Sequence, residues 1–198
     1  MSHKIYVVMG KSASGKDTIY KELAKDRELQ LKEVVTYTTR PIREGEREGV
    51  EYHFVTEEKL DALEKEGKII EHRTYQTVYG AWHYFTVEDE QIDLKNHDYV
   101  LIGTLESYRQ ILAYYGSEIV KPIYVEVESG ERLERALSRE RKQPEPKYAE
   151  MCRRFLADEQ DFSEEMIKEA GILVRFQNKD LRKCIGEIKA FIQAKTIM

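Results

Sequence analysis

Gly10, Gly15 and Lys16 are the residues whose types and spacing most directly indicate chemistry. They fit the pattern G-x-x-x-x-G-K between an apolar run, residues 5–8, and a helical pattern that begins near residue 18. Such a loop turns backbone N–H groups inward at a helix N-terminus, where they bind anions, and its glycines permit geometry that a Cβ obstructs. The pattern predicts a phosphate-binding loop in which Lys16 supplies a mobile cation.

The predicted loop departs from the usual pattern at Asp17, where Ser or Thr commonly follows the lysine. Thr18 comes one residue later, so a metal ion has two candidate oxygen donors, and capping of the helix start is the alternative role of Asp17. The residues predicted to bind a nucleotide are Gly10, Lys11, Ser12, Ala13, Ser14, Gly15, Lys16, Asp17 and Thr18.

Arg40 and Arg43 belong to a second charged stretch, which has the proline and glycine content of a loop. Two guanidinium forks held together suit a dianionic phosphate, and Thr36 and Tyr52 add hydroxyl groups. An arginine pair alone is more often part of a solvated hairpin tip. Beside a phosphate-binding loop, however, the pair favours a phosphoryl-transfer enzyme with a second phosphate site.

Strand and helix patterns alternate along most of the chain, which predicts an α/β fold with a parallel core sheet and helices on both faces. Residues from about 34 to 87 are richer in strands and predict an inserted β-rich lobe. The predicted strands cover residues 5–8, 31–37, 51–55, 68–72, 75–87, 99–102, 119–127 and 172–176. The predicted helices cover residues 18–25, 57–65, 87–96, 105–114, 131–142, 148–168 and 181–195, with Ser129 as a cap.

Composition and charge limit the class of protein. Charged residues make up 35% of the 198 residues, yet the formal net charge is only −5, which gives no electrostatic reason to expect nucleic-acid or membrane binding. No apolar run reaches transmembrane length, and no signal peptide is apparent. The two cysteines, Cys152 and Cys184, lack metal-site or redox spacing. We therefore expect a cytoplasmic protein with reduced thiols.

The stretch from residue 38 to 55, T-T-R-x-x-R-x-G-E-x-x-G-x-x-Y-x-F-V, resembles the hallmark loop of the guanylate kinase family, and the resemblance covers nearly the whole chain. It implies a P-loop nucleoside-monophosphate kinase that transfers a phosphoryl group from ATP to GMP with Mg²⁺, as a monomer or homodimer. By this resemblance, Arg40, Arg43, Tyr52 and Tyr79 bind the GMP phosphate. Glu71 and Thr36 read the base, and a carboxylate suits the two donors on that guanine edge.

The same resemblance identifies the arginine-rich segment around Pro144 and Pro146 as a lid over residues 139–155. The core then comprises residues 1–33, 88–138 and 156–198, and the acceptor-binding lobe residues 34–87. The predicted catalytic residues are Lys16, Arg40, Arg43, Arg135, Arg141 and Arg154, with Arg139 as an alternative to Arg141. Asn178 resembles a position near the adenine, and helix capping is its alternative role.

Two departures from the family pattern bear on selectivity. Ala81 stands where the family has Ser or Thr, and residues 103–106 lack the family's aspartate, although Thr104 or Glu106 is a candidate replacement. A site built to pair a polar group rejects analogues strongly, so these absences affect specificity. The alternatives are a related kinase with another acceptor and a non-catalytic guanylate-kinase-like binding module.

Overall fold

The computed structural model describes residues 3–77 and 80–196, with side chains up to residue 194. Its core is a five-stranded sheet in the order β2-β7-β1-β8-β9, in which every pairing is parallel. The central strand β1 is buried on both faces, as its unbroken apolar sequence requires. The strands are β1 (Ile5–Met9), β2 (Lys32–Glu33), β7 (Tyr99–Ile102), β8 (Val120–Glu126) and β9 (Arg175–Gln177).

Helices cover both faces of this sheet, which confirms the predicted α/β class. Tyr6 and Val8 pack with α1 and α7, whereas Ile5, Val7 and Met9 pack with α3 and the segment around α6. The alternation follows from the two-residue period of a strand. The helices are α1 (Lys16–Lys25), α3 (Leu105–Tyr115), α4 (Ser129–Glu140), α5 (Tyr148–Asp161), α6 (Glu164–Glu169) and α7 (Leu181–Thr196).

A second sheet of four strands, in the order β4-β3-β6-β5, lies entirely within residues 37–87. Its members are β3 (Tyr37–Thr38), β4 (His53–Phe54), β5 (Ile69–Thr77) and β6 (Gly80–Val87). Helix α2 (Glu57–Lys65) covers one face through Leu60 and Leu63, which pack against Phe85 and Val87. The long hairpin formed by β5 and β6 is antiparallel.

The predicted helix over residues 87–96 is wrong, because this segment is a loop. Asp89 accepts a hydrogen bond from the backbone N–H of Gln91, and Asp93 accepts one from that of Lys95. Such local side-chain bonds satisfy the backbone outside a helix and so compete with helix formation.

The helix predicted over residues 148–168 is two helices, since Ser163 accepts a hydrogen bond from the backbone N–H of Met166 and caps α6. Buried Phe162 at this break stacks on Tyr124, with ring centroids 5.7 Å apart. At the start of α4, Glu128 rather than the predicted Ser129 is the capping residue.

Two predicted strands also differ from the structure. Residues 31–37 do not form one strand, because β2 joins the core sheet and β3 joins the second sheet. The last strand begins at Arg175 rather than at residue 172, and Leu173 is exposed. Among the described residues, no helix combines the length and the apolar character needed to cross a bilayer.

Candidate active site

The glycine loop joins the end of β1 to the start of α1, as its sequence predicts. Its glycines stand where side chains do not fit. A Cβ on Gly10 would collide with the carbonyl oxygen of Val125, and one on Gly15 would collide with the side-chain amide of Asn178. Gly15 also has φ 84°, a left-handed conformation that favours glycine.

The N-cap residue of α1 is Gly15, which has no side chain, so no N-cap side chain accepts a hydrogen bond from the N–H groups of the first turn. Side chains from other parts of the chain donate hydrogen bonds to the loop carbonyls. Asn178 donates to Ser14 O at 2.8 Å, and Arg132 Nε donates to Ser12 O at 3.1 Å. A helix start whose amides lack a capping side chain attracts an anion. This geometry fits the phosphates of a nucleotide.

Arg132 is the main residue of this region to which the sequence assigned no role of its own. It is only 1% exposed, bonds to Glu159 at 2.6 Å, and lies over the ring of Phe155 at 4.8 Å. Its Nη2 is buried without a hydrogen bond, 3.6 Å from Asp158. The available signal was its spacing: Arg132, Ala136 and Glu140 recur every four residues and form the buried stripe of α4.

Carboxylates from α5 also reach the loop. Asp158 accepts a hydrogen bond from the backbone N–H of Ser12 at 2.7 Å, and Glu159 accepts one from Lys11 at 2.9 Å. Burial alone would raise the pKa of Glu159, but the hydrogen bonds from Lys11 and Arg132 outweigh it and hold that pKa below its ordinary value. The first half of the loop is therefore tied to α5 by ion pairs.

The second half of the loop offers the candidate metal ligands. Asp17 and Thr18 are exposed, and Lys16 Nζ lies 3.5 Å from Asp17. Within the described ranges, no three His, Cys, Asp or Glu residues cluster as a metal site. Mg²⁺ commonly binds through one or two protein oxygens together with phosphates and waters, so these donors fit an ion that arrives with a nucleotide.

The predicted lid arginines have different surroundings. Arg135 donates to the carbonyl of Asn178 at 2.9 Å and pairs with Glu131. Arg139 and Arg141, at the end of α4, are exposed. Arg154 is exposed and lies 3.9 Å from Glu150.

Helix capping, the alternative role of Asn178, is not observed, whereas its predicted place near the adenine stays a prediction. Asp180 accepts the hydrogen bond from the backbone N–H of Lys183 at the start of α7. The buried Asn178 side chain instead braces the glycine loop, through its bond to Ser14.

A cleft of about 770 Å³ separates α1 from the second sheet. Asp17 and Lys21 line it from α1, and the predicted acceptor-site residues Thr36 and Tyr52 line it from the opposite side. Arg73, Tyr75 and Tyr84 complete the wall formed by the second sheet. Helix α1, which follows the glycine loop, and the predicted acceptor lobe thus share one cleft.

The guanidinium groups of Arg40 and Arg43 do not lie together as an open phosphate site. Arg40 is 3% exposed and binds both oxygens of Glu46, at 2.7 and 2.6 Å, and its guanidinium lies 5.0 Å from the ring centre of Tyr52. This hydrogen bonding lowers the pKa of Glu46 to about 2. Arg43 is exposed, and its guanidinium lies 6.0 Å from the ring centre of Trp82. Glu46 has no role predicted from the sequence, although it orders this loop by also accepting a hydrogen bond from the backbone N–H of Arg43.

Glu71, the predicted base-reading residue, is buried in the second sheet. Its carboxylate accepts hydrogen bonds from Arg73 and from Thr86. Burial alone would lower the pKa of Arg73, but the charge of Glu71 outweighs it and raises that pKa. Tyr79, the other predicted phosphate ligand on this hairpin, lies outside the described residues.

Comparisons with known proteins show what this chain is similar to. The family model described as guanylate kinase matches residues 2–195. The guanylate kinase of Schizosaccharomyces pombe is 42% identical over 79 residues, which cover 39% of each chain. That of Nitrosococcus oceani is 32% identical over 117 residues, 58% of this chain and 55% of the relative. The matched segments thus span about two fifths to just over half of these relatives.

The solved structure of a guanylate kinase from Anaplasma phagocytophilum has the same fold. It superposes with a TM-score of 0.66 and 18% sequence identity, over 100% of this chain and 88% of that one. Because the family model matches residues 2–195, nearly the whole chain, the chain belongs to the guanylate kinase family.

Proposed function

We propose that the chain transfers a phosphoryl group from ATP to a nucleoside monophosphate, with GMP as the acceptor that the family implies. The observation that carries this proposal is the shared cleft, in which α1 of the phosphate-binding loop faces Thr36 and Tyr52 across about 770 Å³. A donor phosphate at the N-terminus of α1 and an acceptor phosphate near Tyr52 then approach each other. Phosphoryl transfer needs little from the protein beyond such positioning and charge stabilisation.

The roles of the residues follow from their positions. The amides of the glycine loop and Lys16 hold the donor phosphates, and an oxygen of the acceptor phosphate attacks the γ-phosphorus while ADP leaves. Asp17 and Thr18 would hold Mg²⁺ together with the phosphates, and the bound ion would supply charge neutralisation.

Arginines act at two places, the acceptor phosphate and the predicted lid. Arg43 and Tyr52 bind the acceptor phosphate, and Arg40 supports them from its pair with Glu46. Arg135, Arg141 and Arg154 act when the segment over residues 139–155 closes. Closure excludes water and so suppresses hydrolysis of ATP.

The compartment and the nucleotide partners follow from the same proposal. The proposal places the chain in the reducing cytoplasm, where thiols such as those of Cys152 and Cys184 stay reduced. ATP and a nucleoside monophosphate are the partners that this site requires.

Lys16→Met tests the donor site. We expect loss of ADP release in a coupled assay, with GMP binding retained, because the substitution removes only the cation at the donor phosphates. Lys25→Met, at the exposed last turn of the same helix, is the matched control and should keep full activity. Full activity of Lys16→Met would refute the proposed donor site, and absence of ADP release by the wild type with any acceptor would favour a binding module.

A further inference from the structure

Glu71 and Arg73 form a buried ion pair on one face of β5. Arg73 Nε donates to Glu71 Oε2 at 2.9 Å, and Nη2 donates to Oε1 at 3.2 Å. Thr86, on the neighbouring strand β6, donates to the same Oε1 at 3.0 Å. The side chain of Glu71 is 0% exposed and that of Arg73 is 10% exposed. Both oxygens of the carboxylate are therefore bonded within the chain and closed to solvent.

The guanidinium of Arg73 presents to Glu71 the same pattern that guanine would present. Guanine offers two adjacent donors, N1–H and the 2-amino group, whereas Arg73 offers Nε–H and Nη2–H as a fork. The carboxylate of Glu71 already accepts two hydrogen bonds from Arg73 and a third from Thr86, so three of its roughly four acceptor sites are occupied. Guanine gains this contact only by displacing the guanidinium.

Three of the other polar groups considered for the base edge are absent or engaged, whereas Thr36 lines the cleft and Glu106 is exposed. Ala81 carries no hydroxyl, and residues 103–106 contain no aspartate. The hydroxyl of Thr104 accepts from the backbone N–H of Ser107 and caps α3, so it is committed to the helix.

We propose that Arg73 determines acceptor selectivity by occupying Glu71, so that the site binds nucleoside monophosphates without selecting guanine. This inference rests on the proposed function, because it concerns the acceptor side of the same cleft. Arg73 lines the cleft where α1 faces the second sheet, so the substitution tested below changes the acceptor site itself.

Tyrosine side chains provide a binding surface for the base that does not depend on its hydrogen-bonding edge. Tyr84 lies edge-on to both Tyr52 and Tyr75, with ring centroids 5.6 Å apart in each pair. All three rings line the cleft beside Arg73. Aromatic contact with a base tolerates every base, because each has a π-face.

A comparison of GMP, IMP and AMP as acceptors tests the proposal, because they carry two, one and neither of the donors that would face Glu71. We expect wild-type kcat/KM values for the three to agree within about tenfold, whereas a site that hydrogen-bonds its substrate rejects the analogue by about 10⁴-fold or more. Calorimetric binding of GMP and IMP gives the same ratio without turnover.

Two variants assign the effect to the ion pair. Arg73→Ala should raise the preference for GMP over IMP at least about tenfold, because it frees Glu71 to accept from the 2-amino group. Glu71→Gln should leave the ratio unchanged. Arg182→Ala, at an exposed position of α7, is the matched arginine control. A ratio measured within one preparation does not depend on the fraction of folded protein.

A wild-type preference for GMP above about 10³-fold that Glu71→Gln abolishes would overturn the proposal, because Glu71 would then be reading guanine. An unchanged ratio in Arg73→Ala would overturn the role of Arg73. Equal binding of GMP and IMP without ADP release would support the inference on selectivity and refute the proposed phosphoryl transfer, so the two failures remain distinguishable.

Discussion

Replacement of Arg132 by methionine should destabilise the protein and weaken nucleotide binding together, because this one side chain ties α4 to the glycine loop and to α5. Arg132 donates to the carbonyl of Ser12 and to Glu159, and its guanidinium covers Phe155. Methionine retains the aliphatic stem of arginine and removes only the charged fork. The measured effect then belongs to the hydrogen bonds and ion pairs.

The magnitude follows from what the substitution leaves behind. Removing one partner of a buried ion pair costs about 3–5 kcal/mol, because the other charge stays buried. Here Glu159 keeps Lys11 and its side chain is 36% exposed, so water and the lysine compensate in part. We therefore expect the low end, about 3 kcal/mol, which in a chain of this size lowers Tm by about 6–12 °C.

Urea and thermal denaturation followed by circular dichroism give the stability difference, and ATP titration gives the change in affinity. Arg153→Met is the matched control, because Arg153 pairs with Glu150 on the surface of α5 and is 65% exposed. Such surface pairs contribute about 0–1 kcal/mol. A loss below about 1 kcal/mol in Arg132→Met would refute the reasoning that the buried fork holds these elements together.

A double-mutant cycle separates the ion pair from the rest of the Arg132 environment. Combining Arg132→Met with Glu159→Gln should recover a coupling energy of about 1–3 kcal/mol, since groups in direct contact are not additive. Additive effects would mean that the loss comes from the contacts with Ser12, Asp158 and Phe155 rather than from the pair with Glu159.

Two further predictions concern the glycine loop and the arginine loop. Gly15→Ala should abolish ATP binding in a folded protein, because the backbone φ of 84° and the approach of Asn178 both oppose a Cβ at this position. Gly116→Ala is the control for backbone strain, since Gly116 has φ 83° and no neighbour within 4 Å. Retained ATP affinity in Gly15→Ala would contradict the prediction. Glu46→Gln should cost about 3 kcal/mol near pH 7, where it leaves Arg40 buried and unpaired. Because the folded-state pKa of Glu46 is about 2 against an ordinary 4.5, the stability that it contributes is present above pH 4.5 and is lost as pH falls through about 2. The gap between wild type and Glu46→Gln in urea denaturation should therefore narrow as pH decreases from 5 to 3, and a gap independent of pH would show that the carboxylate charge is not responsible.

The parts of the structure that the sequence predicted are those with local causes. The glycine loop follows from glycine spacing between an apolar strand and a helix, and the buried strands follow from unbroken apolar runs. The two wrong helix predictions also have local causes, which are visible only in the folded chain. The carboxylates of Asp89 and Asp93 bond to the backbone of a loop, and the Ser163 hydroxyl starts a new helix inside an otherwise helical pattern.

Contacts between distant parts of the chain could not be predicted in this way. Arg132 and Ser12 are 120 residues apart, and nothing in either local sequence indicates that they meet. Glu46 and Arg40 are near each other in sequence, but an arginine in a charged loop is usually solvated, and burial of its fork depends on Tyr52 and Phe54 from the following segment. The hydrogen bonding of Glu71 within the chain could not be predicted either, because it depends on which residues the β5–β6 register places on the same face of the sheet.

Several cations of the candidate site already have an anionic partner within the chain. These pairs are Lys11 with Glu159, Arg40 with Glu46, Arg73 with Glu71, and Arg132 with Glu159. A phosphate that binds to one of these cations exchanges one anion for another, so its affinity reflects the difference between the two contacts rather than the full strength of the new one. With a net charge of −5, long-range attraction adds little for anionic nucleotides. Recognition must then depend on short-range geometry, and the amides at the start of α1, which have no side-chain cap to displace, are the part of the site where a phosphate gains most.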